Sequence, residues 1–377
     1  MKILFVLGSR GEWGYIKPLI KELIKNNINY AICATNMILL KENGSLINEI
    51  ESEGFNVTSR ILMSLEGSTN MAMAKSIGLF AASFVDVLLQ EKPSWTILAG
   101  DRGEQLAASV ACSYSYIPCA HIQAGERSGN IDGVARHAIG KLVHLHFASN
   151  QDAADRLIRL GEQSFRVHNV GAPQLDEIYQ EYIPSLKEIN KKLNSTINEN
   201  FLLVVQHPVT EKLIFAGKNT EILFDALDNF DMQKVIILPN NDAGASIVKA
   251  KIREKRKTNM FVYSNLNRSI YLGLLKNCKC IVGNSSSGLI EAPSFQTPAL
   301  NLGKRQKDRV QGDNVINQEY NFELIISSIK KAISKEFKKS IKISSNPYGD
   351  GKSSKRILDI VQSTKINDSL LIKRITS

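Results

Sequence analysis

Short runs of aliphatic and β-branched residues, each stopped by glycine or a polar cluster and each followed by a stretch with helical spacing, recur along the whole chain. Ile3–Leu7 ends at Gly8, and Tyr15–Lys25 then carries Ile16, Leu19, Ile20 and Leu23 on one helical face. Tyr30–Ala34, Thr96–Ala99 and Ile117–Ile122 read as further strands, with helices over 104–113 and 134–144. Phe201–Val205, Val235–Leu238, Cys280–Val282 and Ala299–Leu302 repeat the pattern. This alternation predicts an α/β fold, with parallel sheets covered by helices on both faces. A chain of 377 residues suits two such domains. The boundaries are placed at 1–178 and 179–352, with 353–377 forming a last helix that crosses back to the first domain.

Composition narrows the class. With 43% apolar and 22% charged residues, this is the profile of a globular protein. No apolar run reaches the eighteen or so residues needed to span a bilayer, so no membrane partner is expected. The N-terminal apolar stretch is too short for a signal peptide and runs into Gly8-Ser9-Arg10-Gly11-Glu12, so it is expected to be the first strand of a cytoplasmic protein. Five scattered cysteines predict neither a disulfide framework nor a zinc site. Residues 1–180 carry a net −2 and the remainder +12, which together give the formal +10. Runs such as 251–257 read as solvated helix faces, and no nucleic-acid-binding signature accompanies them.

In parallel α/β sheets, ligands collect beyond the carboxyl ends of the strands. The chemically active residues follow strands here. Gly8–Gly14 offers backbone N–H groups to an anion, with Arg10 as a phosphate contact; a Ser9-capped helix start explains it equally well. Asp101 and Arg102 follow the third of these strands, either as a carboxylate poised in a cleft or as a helix cap with an ion pair. The segment 121–137 gathers His121, Gln123, Glu126, Asp132, Arg136 and His137 around glycines. Spacing puts Ala135, Ala138, Ile139, Leu142 and Val143 on its buried helix face, and Arg136, His137, Lys141 and His144 opposite. His207 follows Phe201–Val205. Asn284, Ser285, Ser286 and Ser287 open a helix as donors for a diphosphate or as its cap, and Glu291, about one and a half turns in, suits a ribose hydroxyl pair. Arg305 and Gln306 come close behind.

Taken in order, GSRGEWG (8–14), GDRGE (100–104), HIQAGERSGNIDGVARHAIGKL (121–142), VGAPQLD (170–176), QHPVTE (206–211), PNNDAG (239–244), VGNSSSGLIEAPSFQTP (282–298), LGKRQKDR (302–309) and SSNPYGDG (344–351) resemble the hydrolysing UDP-N-acetylglucosamine 2-epimerase family of sialic and legionaminic acid biosynthesis. The resemblance covers nearly the whole chain. It implies a GT-B-type fold, two Rossmann-like domains facing across a cleft, and no cofactor or metal. It implies that Ser285, Ser286, Glu291 and Arg305 bind the nucleotide, that Arg10 and Arg102 reach the phosphates, and that Asp101, Asp132, Arg136, His137 and His207 line the sugar pocket. The partner it implies is a nucleotide sugar, and a homodimer is usual for the family.

The family chemistry is elimination followed by hydration. Many relatives carry a carboxylate where this chain has Gln123, which cannot act as a base, and a second acid where it has Gly133. The acid/base pair is therefore expected to be Asp101 and Asp132, with Glu126 next. Gln123, Ala124 and the Arg-Gly-Glu-Trp start resemble the branch acting on N,N′-diacetylbacillosamine, with UDP-GlcNAc the other candidate; Trp13 either walls a more apolar pocket or belongs to the core. A non-hydrolysing epimerase would leave the sugar on UDP, and a GT-B glycosyltransferase would need an acceptor.

Overall fold

The computed structural model describes residues 1–40, 46–65, 70–128, 131–239, 244–264, 266–341 and 345–376. The chain divides into two compact units. The first is built from Met1–Arg127, Ile131–Tyr179 and Tyr348–Ser377, the second on Gln180–Pro347.

The first unit holds β1 (Lys2–Leu7), β2 (Asn29–Thr35), β3 (Val57–Ile61), β4 (Trp95–Ala99), β5 (Cys119–Ala124), β6 (Leu145–Ala148) and β7 (Val167–Asn169). All pairs are parallel, in the order β3-β2-β1-β4-β5-β6-β7. Successive residues of β1 face opposite sides: Ile3, Phe5 and Leu7 enter one core and Leu4 and Val6 the other. Helices therefore cover both faces, as a parallel sheet requires. The C-terminal helix Ser353–Ser363 lies on the first of these cores through Ile357, Leu358 and Val361. Buried Asp176 caps it, accepting the backbone N–H groups of Ser353 (3.0 Å) and Ser354 (2.7 Å).

The second unit holds β8 (Phe201–Val205), β9 (Gln233–Ile237), β10 (Met260–Tyr263), β11 (Cys280–Gly283), β12 (Ala299–Leu302) and β13 (Val315–Gln318), all parallel, in the order β10-β9-β8-β11-β12-β13. Leu202 and Val204 face one core, Phe201, Leu203 and Val205 the other. The second sheet thus has the doubly wound 3-2-1-4-5-6 order, and the first has the same order with a seventh strand added. Each reverses direction once, between β1 and β4 in the first and between β8 and β11 in the second.

Three expectations change. Helix Asn70–Glu91 contains a 21-residue stretch, Met71–Glu91, with mean hydropathy 1.6, long and apolar enough to cross a membrane by length and composition. Lys75, Ser76, Ser83 and Asp86 interrupt it, so no unbroken apolar run shows in the sequence. Trp13 is a core residue, 4% exposed and edge-on to Phe55 at 4.9 Å, so it walls no pocket. In helix Ile131–Leu142 the buried residues are Gly133, Arg136, Ile139 and Gly140, while Ala135, Ala138 and Leu142 are half-buried. Arg136 is on the inner face because a charge partner awaits it there. The Lys251–Lys257 run behaves as a solvated face: Lys251 meets Glu254, Lys255 meets Asp225 and Lys257 meets Asp228.

Candidate active site

A reversal of strand order leaves adjacent strands whose connections leave in opposite directions, which opens a crevice at their carboxyl ends. In each unit, residues singled out from the sequence stand at that reversal.

In the first unit β1 delivers Gly8-Ser9-Arg10. Ser9 caps helix Arg10–Lys25 in a reciprocal capping box with Glu12. Glu12 Oε2 accepts the N–H groups of Gly8 (2.6 Å) and Ser9 (3.0 Å). Those two donors are therefore taken by the chain's own carboxylate and are not offered to an anion. Arg10 faces Glu49 at 3.3 Å. Gly8 has no room for a side chain: a Cβ there would lie 2.0 Å from Glu104 Oε1. Burial, and then the neighbouring Glu104 carboxylate, push Glu12 well above the usual carboxylate range. Glu104 is in turn held by Asn36 (3.1 Å) and by Arg102 Nε (3.5 Å).

β4 delivers Gly100-Asp101-Arg102. The helix that follows, Gly103–Tyr114, takes Arg102 as N-cap with no side-chain capping bond. Asp101 instead pairs with Arg136 NH2, while Arg136 NH1 donates to the carbonyl of Gln123 at 2.7 Å. The guanidinium is 4% exposed and the carboxylate 21%, so Asp101 carries charge at the edge of water while its partner is sunk beneath it. His121, fully buried, donates from Nε2 to the Gly100 carbonyl at 2.6 Å and so fixes the turn that presents Asp101. Burial pushes its pKa down to about 3, which keeps it neutral.

Gln123 sits where β5 slips register against β6, with φ of +61°. A left-handed non-glycine residue at a bulge is strained, and such strain gathers at functional positions. Its side chain is 3% exposed, and its Nε2 has no hydrogen-bond partner among the described residues. Glu126, 2% exposed, accepts from Asn150 Nδ2 at 2.5 Å; Asn150 also caps helix Gln151–Arg159. Asp132 and His137 are half-buried on helix Ile131–Leu142. Burial, then Arg136 and Arg156, lower the His137 pKa. Gly129 and Asn130 of this motif lie outside the described residues.

In the second unit β8 delivers Gln206-His207 and β11 delivers Gly283-Asn284. Gly283 has φ of +135°, and a Cβ there would lie 2.1 Å from the Val205 carbonyl oxygen. Only glycine permits this approach, which lets Asn284 cross to the neighbouring strand end. Its carboxamide clamps the His207 backbone: Oδ1 accepts the N–H at 2.8 Å, and Nδ2 donates to the carbonyl at 2.9 Å. The Asn284 carbonyl accepts from Arg305 NH1 and from Gln306 Nε2, both at 3.1 Å. His207, Asn284, Arg305 and Gln306 therefore form one bonded group, although 99 positions separate its ends. Burial, then Arg305, push His207 down to about 3, so its imidazole is neutral with Nδ1 unpartnered among the described residues.

Ser285, Ser286 and Ser287 are half-buried beside this group. The helix they open is a single turn, Ser287–Ile290, whose N-cap Ser286 makes no side-chain capping bond. Glu291 closes that turn instead of standing one and a half turns inside a helix, and it pairs with Arg268 at 2.8 Å. Arg268 and Tyr320, whose hydroxyl accepts from Gln206 Nε2 at 2.6 Å, were not read from the sequence: Arg268 opens a helix, and Tyr320 follows β13, a strand the apolar pattern does not reveal. Residues 240–243 of the PNNDAG motif and Ser344 lie outside the described residues. Among the described residues no group of three or more His, Cys, Asp or Glu is placed to hold a metal ion, and all five cysteines are buried and free.

The family model described as UDP-N-acetylglucosamine 2-epimerase matches residues 21–362. The UDP-N,N′-diacetylbacillosamine 2-epimerase (hydrolyzing) of Legionella pneumophila is 34% identical over 375 residues, 99% of this chain and 98% of that one. The GDP/UDP-N,N′-diacetylbacillosamine 2-epimerase (hydrolyzing) of Campylobacter jejuni is 32% identical over 90% of this chain and 89% of its own. The crystal structure of UDP-GlcNAc 2-epimerase from Neisseria meningitidis bound to UDP-GlcNAc superimposes with a TM-score of 0.82 at 21% identity, over 97% of this chain and 100% of that one. That likeness carries the two-domain α/β fold of GT-B type. With the strand-end residues, the sheet order and the matched model in agreement, this chain belongs to the UDP-N-acetylglucosamine 2-epimerase family, in its hydrolysing branch.

Proposed function

We propose that this enzyme converts a UDP-linked 2-acetamido sugar to the free, C2-inverted sugar and UDP, within nonulosonic acid biosynthesis. UDP-N,N′-diacetylbacillosamine is the proposed substrate, supported by the named activities of the Legionella and Campylobacter relatives. UDP-GlcNAc is the second reading, since a Neisseria meningitidis relative of that name is 30% identical over 88% of this chain.

The observation that carries the proposal is the Asp101–Arg136 pair at the strand-order reversal of the first sheet. Asp101 takes the C2 proton, and the C1–O electron pair leaves with the diphosphate. Negative charge grows on the leaving phosphates, where Arg10, Arg102, Arg305 and the 285–287 serines stabilise it. The remaining 2-acetamidoglycal adds water across C1–C2: Asp132 delivers a proton to C2 from the face opposite Asp101, water bonds to C1, the proton that water sheds replaces the one Asp132 gave, and Asp101 releases its own proton to solvent. Glu126, held by Asn150, is the second candidate for that return. His207, neutral and clamped by Asn284, offers a hydrogen bond without adding charge, and Glu291 with Arg268 holds the ribose end. The enzyme works in the cytoplasm as a homodimer.

Asp101→Asn tests the assignment. It keeps the shape and an acceptor for Arg136 but removes the base, so turnover falls by about 10²–10⁴, while UDP affinity by calorimetry stays unchanged. Turnover at the wild-type rate overturns the role given to Asp101.

A further inference from the structure

Beyond helix Ser353–Ser363 the chain ends in a segment with a single helical turn, Asp368–Leu371, and buried charge ties that segment down. Arg166, fully buried, donates to the carbonyls of Leu370 (2.7 Å), Ser369 (2.8 Å) and His144 (3.2 Å). The Thr376 N–H donates to the Gly161 carbonyl at 2.9 Å. Between these ties Lys373 turns inward, its side chain 11% exposed. Its ammonium donates to the carbonyls of Gly140 and Val143, the latter at 2.9 Å, and pairs with Glu162 at 2.6 Å. Glu162, itself 1% exposed, also meets Lys141 at 2.8 Å and His146 Nε2 at 3.0 Å. A buried ion cluster is a weak source of stability, because desolvation offsets most of its attraction. What its charge-assisted hydrogen bonds do supply is fixed geometry.

The geometry fixed here is that of helix Ile131–Leu142. Gly140 lies in its last turn, where carbonyls lack helical partners and the helix dipole favours a cation. A lysine donating there is a C-terminal cap. Each N–H in an α-helix donates to the carbonyl four residues back. The Gly140 N–H therefore meets the Arg136 carbonyl, and the Arg136 N–H meets the Asp132 carbonyl. One ladder, about 12 Å long from Gly140 to Asp132, runs from the Lys373 cap to both residues that the proposed reaction uses on this helix. The Arg136 side chain anchors the helix a second time, on Asp101 and on the Gln123 carbonyl.

We infer that Lys373 is a positioning residue for the epimerase reaction: capping helix Ile131–Leu142 from the C-terminal segment, it sets where Asp132 and Arg136 stand along the helix axis. This rests on the roles proposed above for those two residues. The cap depends on charge. Burial lowers the Lys373 pKa to about 8, against the opposing pull of Glu162 and with Lys141 and Arg166 adding to the fall. His144 and His146, the other titratable groups facing it from β6, are held neutral by burial, and burial keeps the Cys119 thiol on β5 protonated. The cap is thus present below about pH 8 and lost above it.

Turnover of the full chain, followed as UDP release from whichever of the two UDP sugars it accepts, tests this between about pH 6.5 and about 9.5. Calorimetry gives UDP affinity, and Trp13 and Trp95 fluorescence checks folding. Wild-type kcat is expected to fall as the pH rises through about 8. Lys373→Arg keeps its charge throughout and should move that fall upward by about one pH unit or more. Glu162→Gln removes the carboxylate that holds the proton on Lys373 and should move the fall downward. Lys373→Met should lower kcat by about 10–100-fold at neutral pH, with UDP affinity unchanged. A lysine that merely stabilised the fold would move neither fall. A fall that keeps its position in both Lys373→Arg and Glu162→Gln overturns the inference, and so does a folded Lys373→Met with wild-type turnover. Wild-type turnover in Asp101→Asn would instead overturn the proposed reaction, whatever the Lys373 variants do.

Discussion

Acid should unfold the first unit through its buried histidines, and His121 should account for a measurable share. His121 is pushed down to about 3 by burial, then by Arg136 and His146, whereas an unfolded histidine titrates near 6.5. Its folded pKa is depressed, so the unfolded chain takes up a proton that the folded chain refuses. The stabilisation is full above pH 6.5 and is lost as the pH falls from there towards 3. Linkage sets the slope at about 1.4 kcal/mol per pH unit for one proton, so His121 alone removes about 2 kcal/mol by pH 5. His144 and His146, each pushed down to about 4 by burial, act in the same direction. Together the three remove about 6 kcal/mol by pH 5, comparable with the total stability of a domain. Glu162 adds nothing in that window. Hydrogen bonds from His146, Lys141 and Lys373 outweigh its burial and hold it at about 2, so its contribution is lost only below about pH 4.5. Both tryptophans, Trp13 and Trp95, are buried in the first unit, so their fluorescence reports that unit alone. Urea titrations from pH 7.5 to 4.5 should show the steep loss. His121→Gln keeps an N–H donor for Gly100 without the titration and should flatten the slope by about 1.4 kcal/mol per pH unit between 6 and 4.5. A variant slope equal to wild type would refute the buried, neutral His121.

Gly283→Ala drives a Cβ to 2.1 Å from the Val205 carbonyl oxygen at a φ of +135°. It should destabilise the second unit by about 3 kcal/mol or more, seen as a lowered melting temperature. Asn284→Ala removes both bonds to the His207 backbone and should weaken UDP binding by about tenfold, as a loss of two hydrogen bonds predicts, with the first unit's fluorescence transition unchanged.

Much of the fold was legible because parallel strands buried on both faces stand out as unbroken apolar runs. Phe201–Val205 and Ala299–Leu302 appear with the boundaries expected. The strands that escaped were β3, β6, β7, β10 and β13, three to five residues each and with half-exposed or polar positions, which dilutes the signal. In the site, Asp101, His207 and Asn284 were visible because they follow strands. Their partners were not, since Arg136 lies 35 positions from Asp101 and Asn284 lies 77 from His207. Periodicity misplaced Arg136 for a related reason: spacing assigns a charge to the outer face and carries no information about a carboxylate waiting within. The serine three residues before Glu12 did announce its capping box, and with it a competitor for the backbone donors.

Following the reaction by NMR in deuterated buffer tests the central chemistry most directly. With UDP-N,N′-diacetylbacillosamine supplied, the expected products are free UDP and an unattached sugar, inverted at C2 and carrying deuterium there. A product still joined to UDP, or a released sugar with its original C2 configuration and proton, would contradict it.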